Sequence, residues 1–528
     1  MGQFKFTKAQ RSRINQLKNE GLNNSEITDT IRAEFDLEKT MKWETLRSRV
    51  RRVLKKKGNS QQKSKTLEDS NEFKQARQRK YKKSKVYLLT WEQNATPLHD
   101  NFWNNLLTYK NFRKAELAVI LGRYKNPTSV WKEGIHEHWN TKTQPYWDAN
   151  THDIHQYLTI LSGAKIQPTA KYPLTGISGM SPGKSIVVGH PKQHMTTQPT
   201  LAGQPHKVLF TTGACTVPNY TDSKAGYIGA NNHKLGFTVV EIRDDEIFHI
   251  RQVEADHNGN FVDLCYVVKN QKVSVTTKAL GMVCGDTHYG HLDPVIDAAN
   301  DQMCEYFNID KLVLHDVPDG ESMNNHILKS PTLQYLRYKE GKHDAIKELQ
   351  DTTDWLRTKI KYGPIVPQAN HNDRFDRALD NDWRKDIPNS MFYLKYTQAV
   401  LEGNAPKGVF AYFVEQQLGD QVKFLGYQDS YKIGKYECSQ HGHHGANGSR
   451  GSVRGLRNLD IAMIDAHGHS AYRADDYFRA GTNTYLNLGY NERGPSSWIQ
   501  ANVLISENGL AQHIIFINGQ YTTIDLLN

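Results

Sequence analysis

The sequence predicts an α/β protein of several folding units, with an all-α unit at its N-terminal end. Three observations carry that expectation. The chain has 528 residues, more than one ordinary core would hold. Its first 57 residues place apolar side chains at helical spacing, and from residue 86 onward short apolar runs alternate with longer helical patterns. A hydrophobic share of 38% with 10% aromatics supports folded domains over a disordered chain.

Residues 1–57 read as three short helices. The first runs from about Thr7 to Glu20, turns Ile14 and Leu17 inward and stops at Gly21. The second follows the cap cluster Asn23-Asn24-Ser25 and carries Ile27, Ile31 and Phe35 on one face. The third begins after Thr40, with Trp43, Leu46, Val50 and Val53 three and four residues apart. Its other faces carry Lys42, Arg47, Arg49, Arg51 and Arg52, as expected of the recognition helix of a helix-turn-helix; a protein-docking module is the alternative.

Charge supports a polyanionic partner, DNA. Residues 1–85 hold 24 Lys and Arg against 10 Asp and Glu, leaving 43 against 46 for residues 86–528, so the net charge of +11 arises entirely on this arm. Residues 58–85 read as a basic linker or a helix ordered on DNA, being poor in apolar surface.

Residues 86–275 are expected to form an α/β domain of unassigned role, with strands at 86–91, 117–121, 207–212 and 236–242. Two motifs there mislead. Gly179-Met180-Ser181-Pro182-Gly183-Lys184-Ser185 resembles a phosphate-binding loop, but Ser178 stands where the first glycine belongs and a strand-like run follows where a helix should start. His136, His138, His152 and His155 form no metal-binding spacing and read as surface or satisfied histidines.

The chemistry lies in residues 276–528. An apolar strand ends in Asp286-Thr287-His288; a helical stretch, 294–307, leads to a second strand that ends in His315-Asp316, a parallel strand–helix–strand unit. After a helical region at 332–361, the strand 364–367 runs into Ala369-Asn370-His371. The strand-like run 431–439 enters Gln440-His441-Gly442-His443-His444, and the strand 461–464 leads through Asp465-Ala466 into His467-Gly468-His469. Each block ends a strand, where backbone irregularity lets side chains converge on an ion. Asp, His and one Asn carbonyl suit Mn²⁺, Fe²⁺ or Zn²⁺ better than Mg²⁺.

In its order of blocks (D-x-H, D, N-H, H, H-x-H) the chain resembles the calcineurin-like metallophosphoesterases, over about residues 276–475. The resemblance implies an α/β/β/α sandwich at 276–528 and two divalent ions, with Mn²⁺ expected. It also implies the ligand sets: Asp286, His288 and His469 for one ion; Asn370, His467 and His441, or alternatively His443, for the other; Asp316 bridging. His371 would protonate the leaving oxygen. Departures are His315 and Ala369 in place of glycines, and Asn372 in place of the acidic residue after the histidine, for which Asp373 or Asp376 would substitute. Arg450 and Arg454, beside the glycine-rich loop 445–451, and Arg473 are further candidates for contact with a substrate backbone.

The superfamily spans phosphatases, nucleotide phosphodiesterases and nucleases, and the basic arm favours a DNase. The layout, with the phosphoesterase region behind about 275 residues, resembles the host-DNA-degrading nucleases of T5-like bacteriophages. A non-DNA phosphoesterase and a catalytically silent DNA-binding regulator are the alternatives. Five scattered cysteines (Cys215, Cys265, Cys284, Cys304, Cys438) without a paired motif point to a reducing compartment. With no apolar run long enough to span a bilayer and no secretory signal, the expected location is the cytoplasm, that of the host bacterium for a phage protein. The sequence leaves oligomeric state open, a homo-oligomer included.

Overall fold

The computed structural model describes residues 6–37, 42–57, 71–124, 139–489, 491 and 493–526. The chain divides into two compact units, one of Met1–Asn71 and one from Glu72 onward.

The first unit holds three helices, Lys8–Asn19, Asn24–Glu34 and Trp43–Lys57. Two are capped at the start by reciprocal bonds: the Thr7 hydroxyl accepts the Gln10 amide while Gln10 accepts the Thr7 amide, and Asn23 and Glu26 repeat the arrangement. Ile14, Leu17, Ile27, Ile31, Leu46 and Val50 form the core of the bundle. On the third helix Arg51 and Arg52 are exposed, and the Arg47 guanidinium lies 5.1 Å from the centre of the Trp43 ring. The expected helices and their inward faces are therefore present.

The larger unit contains three principal sheets. A six-stranded sheet has the order 423–425, 364–367, 312–315, 279–286, 501–506, 511–515; its first four strands are parallel. Its outer face is covered by helices that include Pro294–Tyr306, Ala345–Lys359, Ser390–Leu401 and Val409–Leu418, packed around Phe307, Leu349, Phe392 and Phe410. Its inner face, Val283, Val313, Ile365 and Val503, packs on Tyr436, Ile464 and Phe478 of a ten-stranded sheet. The short helix Val453–Arg457 covers part of that sheet's far side through Leu456, Met463 and Tyr477.

The ten-stranded sheet joins strands 151–155, 158–161, 185–188, 194–198 and 207–211 to strands 432–433, 436–437, 463–465, 472–474 and 477–479. The seam is Met195 opposite Arg473, an antiparallel pairing. A boundary at 275/276 thus does not separate two sheets, because one ladder of hydrogen bonds crosses it. The third sheet, of five strands, contains Val86–Gln93, Glu116–Gly122 and Gly236–Ile242 as expected and packs its Leu89, Ile120 and Val240 on Ile160, Val187 and Phe210 of the ten-stranded sheet.

Of the other expectations, some changed and some held. Of the expected linker, residues 58–70 lie outside the described residues, and 71–85 packs on the larger unit rather than forming a free linker. Phe73 and Ala76 of the helix Asn71–Gln78 are buried, and Arg79 pairs with Glu116 at 2.8 Å. The stretch 332–361 is two helices and a short 3-10 turn, broken at Gly341 (φ +70°). Residues 185–188 form a strand, so the 179–185 loop does not open a helix. His152 pairs with Asp148 at 2.9 Å and His155 bonds the Asp244 carbonyl at 3.1 Å; His136 and His138 lie outside the described residues. Among the described residues no helix is long and apolar enough to cross a membrane.

Candidate metal centre

The sequence blocks meet at the edge where the two packed sheets end. After Asp286 the chain leaves its strand in a tight turn along the next strand's continuation: Thr287, His288 and Tyr289 donate amides to the carbonyls of His315, Asp316 and Val317 at 2.8–2.9 Å. Gly285 permits the approach of a third segment, since a Cβ there would stand 2.5 Å from the Gly481 carbonyl oxygen.

Four of the expected ligands have left-handed backbones: His288 (φ +41°), Asp316 (+42°), His467 (+69°) and His469 (+51°). Such conformations cost non-glycine residues roughly 1–3 kcal/mol each and persist where surrounding structure enforces them. The two carboxylates supply part of that enforcement. Asp286 Oδ1 accepts the His467 amide at 3.0 Å, and Asp316 Oδ1 accepts the His371 amide at 2.9 Å. Each acid thereby ties its own block to a distant one and leaves its second oxygen for the centre.

Those second oxygens face imidazoles. Asp286 Oδ2 lies 2.8 Å from His469 Nε2 and 3.9 Å from His288 Nε2, and the two ring nitrogens are 3.1 Å apart. Asp316 Oδ2 lies 3.0 Å from His441 Nε2, which is also 3.0 Å from Asn370 Oδ1. Two of the four groups among the described residues that could hold a cation are built on these contacts: Asp286, His288 and His469, and Asp316, His441 and His467; the others are His288, Asp319 and His371, and His291, Asp319 and Glu321. The structure brings His441, not His443, into the second group. His443 Nε2 instead faces the Tyr427 hydroxyl at 3.2 Å.

Electrostatics follow from burial and proximity. Burial opposes ionisation of Asp286, but the rings of His441 and His469 outweigh it and hold the carboxyl well below its usual range. Burial likewise opposes charge on His441, yet Asp316 and Asp286 raise it. Burial, with His441 alongside, pushes His467 down to about 4 and His443 down to about 3. Burial and His441 also push His315 down to about 3.

His371 is held by a residue that the sequence reading overlooked. Its Nδ1 lies 2.7 Å from the Asp319 carbonyl and 3.3 Å from the Asp319 carboxylate, which is also 3.3 Å from His288 Nδ1. Arg374 donates to His371 Nε2 at 2.9 Å. The expected substitutes are occupied elsewhere: Asp373 bonds Gln368 and Tyr427, and Asp376 accepts the Val409 amide. Asn372 is buried and donates to the Pro367 carbonyl at 3.3 Å. The three-residue spacing from Asp316 to Asp319 was the signal available.

Beneath the last two blocks sits a buried pair. The Arg479 guanidinium donates to both oxygens of Asp465 at 2.8 and 2.7 Å, and Tyr477 donates to the same carboxylate at 2.7 Å. Gly442 (φ +105°) lies over this pair, where a Cβ would stand 2.9 Å from Arg479 Nη2 and from Asp465 Oδ2. Ala466 donates to the His441 carbonyl at 3.0 Å, joining the two histidine loops.

Of the expected substrate contacts, Arg450 and Arg454 are exposed, and the glycine-rich loop folds back so that His444 bridges Arg450. Arg473 is not available: it is 1% exposed and pairs with Glu254 at 2.7 Å. Lys42, Arg47, Arg49, Arg51 and Arg52 belong to the first unit.

The relationship of the chain to known proteins agrees with one part of this reading. The chain is similar to Protein A1 of Escherichia phage T5. The two are 28% identical over 473 residues, which cover 83% of each. No family model matches the chain, and no solved structure matches it.

Proposed function

We propose that this protein is a phage-encoded, metal-dependent DNase that hydrolyses DNA phosphodiester bonds and acts on host DNA during infection. The observation that carries the reading is the convergence of two acid–histidine groups on left-handed strand ends, each acid cross-tied to another block. The donor set fits two divalent cations. Two imidazole Nε2 atoms at 3.1 Å, one of them 2.8 Å from a buried carboxylate oxygen, cannot all satisfy one another by hydrogen bonds. Asp286, His288 and His469 would hold one ion; Asp316, Asn370, His441 and His467 the other. When bound, such a pair acidifies water and neutralises charge on a phosphoryl group.

The chain's own groups supply the rest. Asp319 fixes the His371 ring through Nδ1, which leaves Nε2 as the atom that faces substrate. Burial and the neighbouring His288 hold His371 below its ordinary pKa, so the ring is a weak acceptor of charge until a phosphate approaches. Arg374 occupies Nε2; once its guanidinium pairs with a phosphate oxygen instead, Nε2 is free to take up a proton from water and to give it to the leaving oxygen. The similarity to a phage T5 protein supports the phage setting, and the basic three-helix unit supports DNA as substrate.

The test is incubation of purified protein with linear and circular duplex DNA in Mn²⁺, in Mg²⁺ and in chelator, beside His371→Ala. Degradation in Mn²⁺ that the variant lowers by roughly 100-fold or more is expected. Binding of both DNAs without cleavage under any metal would overturn the reading in favour of a regulator. Cleavage of a small diester without cleavage of DNA would redirect it to another phosphoester.

A further inference from the structure

A second constellation of charge lies on the ten-stranded sheet and shares no residue with the groups above. The loop between strands Ser185–Val188 and His194–Gln198 carries Lys192, which is fully buried. Its backbone is fixed: the Lys192 amide donates to His190 Nδ1 at 3.1 Å and its carbonyl accepts the Thr211 hydroxyl at 2.6 Å. Its ammonium finds no hydrogen-bond partner among the described residues. The charged groups that act on it are Asp475, Arg457 and Lys171.

Asp475 and Arg457 are incompletely satisfied in the same way. Asp475 Oδ2 meets Arg457 Nη2 at 3.3 Å and His194 Nε2 at 3.4 Å, while Asp475 Oδ1 is buried with no partner. Arg457 Nη1 is buried with no partner either. The Asp475 amide donates to the Gln193 carbonyl at 3.0 Å, which locks the acid beside the lysine loop. Tyr172 lies 5.1 Å from the Arg457 guanidinium and is exposed on its outer side. Burial disfavours charge on His190 and His194, and it lowers Lys192 too against the pull of Asp475, the one carboxylate that Lys192 and Arg457 share.

Three orphaned polar atoms, on a lysine and an arginine that both act on Asp475 and on Asp475 itself, amount to a specification. Each costs roughly 1–3 kcal/mol if left unmet, more where it is charged. Two donors require acceptor oxygens, one acceptor requires an O–H, and the surplus positive charge requires an anion. Sulfate has no proton to give Asp475; a phosphate that keeps one does. We infer that Lys192, Arg457 and Asp475 form a seat for a protonated phosphate, either inorganic phosphate or a terminal phosphomonoester. Lys192 Nζ and Arg457 Nη1 donate to its oxygens, and its hydroxyl donates to Asp475 Oδ1. This goes beyond the DNase reading and does not depend on it.

The experiment is calorimetric titration of the full chain with inorganic phosphate, sulfate and 2′-deoxyadenosine 5′-monophosphate. Asp286→Asn, in which phosphate binding at the candidate metal centre is impaired, serves as the background. Phosphate binding is expected to survive Asp286→Asn, to weaken at least tenfold in Lys192→Met, and to exceed sulfate binding at least tenfold. Asp475→Asn is expected to erase the preference over sulfate. Should Lys192→Met fail to fold, Arg457→Gln carries the same expectation. The nucleotide binding as well as phosphate identifies a terminal phosphomonoester as the occupant, and phosphate alone identifies the free ion. No binding in the Asp286→Asn background, binding unchanged in the lysine and arginine variants, or sulfate binding equal to phosphate would overturn the inference.

Discussion

The two candidate ion seats are built from similar residues yet differ in how they meet solvent. Asp286, His288 and His469 are all buried, backed by the six-stranded sheet and by Trp498, whose ring lies 4.1 Å from that of His469. In the other seat Asp316 and His441 are buried, but His467 and Asn370 are partly exposed, beside His443, Tyr427 and the glycine-rich loop. One seat is sealed by the fold and the other is finished by loops. On the proposed function, similar ligands in unequal surroundings would serve unequal tasks: retention on the sealed side, exchange and substrate entry on the open side.

That contrast can be broken in order of expected effect. Asp316→Asn removes the carboxylate that faces His441 and holds the His371 amide, so DNA hydrolysis should fall by roughly three orders of magnitude, the scale of losing preorganised charge. A variant within tenfold of the parent would mean that Asp316 plays no part in the chemistry. Next, Arg479→Met leaves Asp465 buried and unpaired beneath both histidine loops. A loss of about 3–5 kcal/mol in urea unfolding is expected, with the open seat losing metal before the sealed one when ion content is measured. Equal loss from both seats would erase the distinction. Smallest, His467→Ala should lower metal content from two ions per chain toward one and weaken the remaining affinity little, because the groups of the sealed seat stay in place. Loss of both ions would show that the seats are one cooperative unit.

Much of this centre was legible because its blocks are local. A strand that ends in Asp-x-His or His-x-His announces its ligands within three residues, and the order of the blocks assigns them to one sheet edge. The three N-terminal helices were legible for the same reason, through capping residues and apolar spacing. What stayed hidden depends on distant partners. Asp319 became visible as the partner of His371 only when residues 316–319 and 371 met. Arg473 looked like a surface cation because nothing local reveals that Glu254 lies opposite. The helices Ser390–Leu401 and Val409–Leu418 escaped because their cover of the sheet, through Phe392, Tyr396, Phe410 and Val414, is non-local. Strand register between residues 195 and 473 leaves no trace in either segment alone.

That last pairing sets a timetable for biosynthesis. The strand His194–Gln198 is one of the inner members of its sheet, yet its partner at 472–474 is translated about 278 residues later, the separation of Met195 and Arg473. At typical rates of roughly 5–20 residues per second the ribosome needs about 14–55 s to supply it. Until then that strand's edge waits open, and both the neighbouring Lys192 loop and the His467–His469 turn lack the scaffold they are built on. A centre assembled in this way is incomplete while its chain is growing. Its centre closes only when almost the whole protein has left the ribosome.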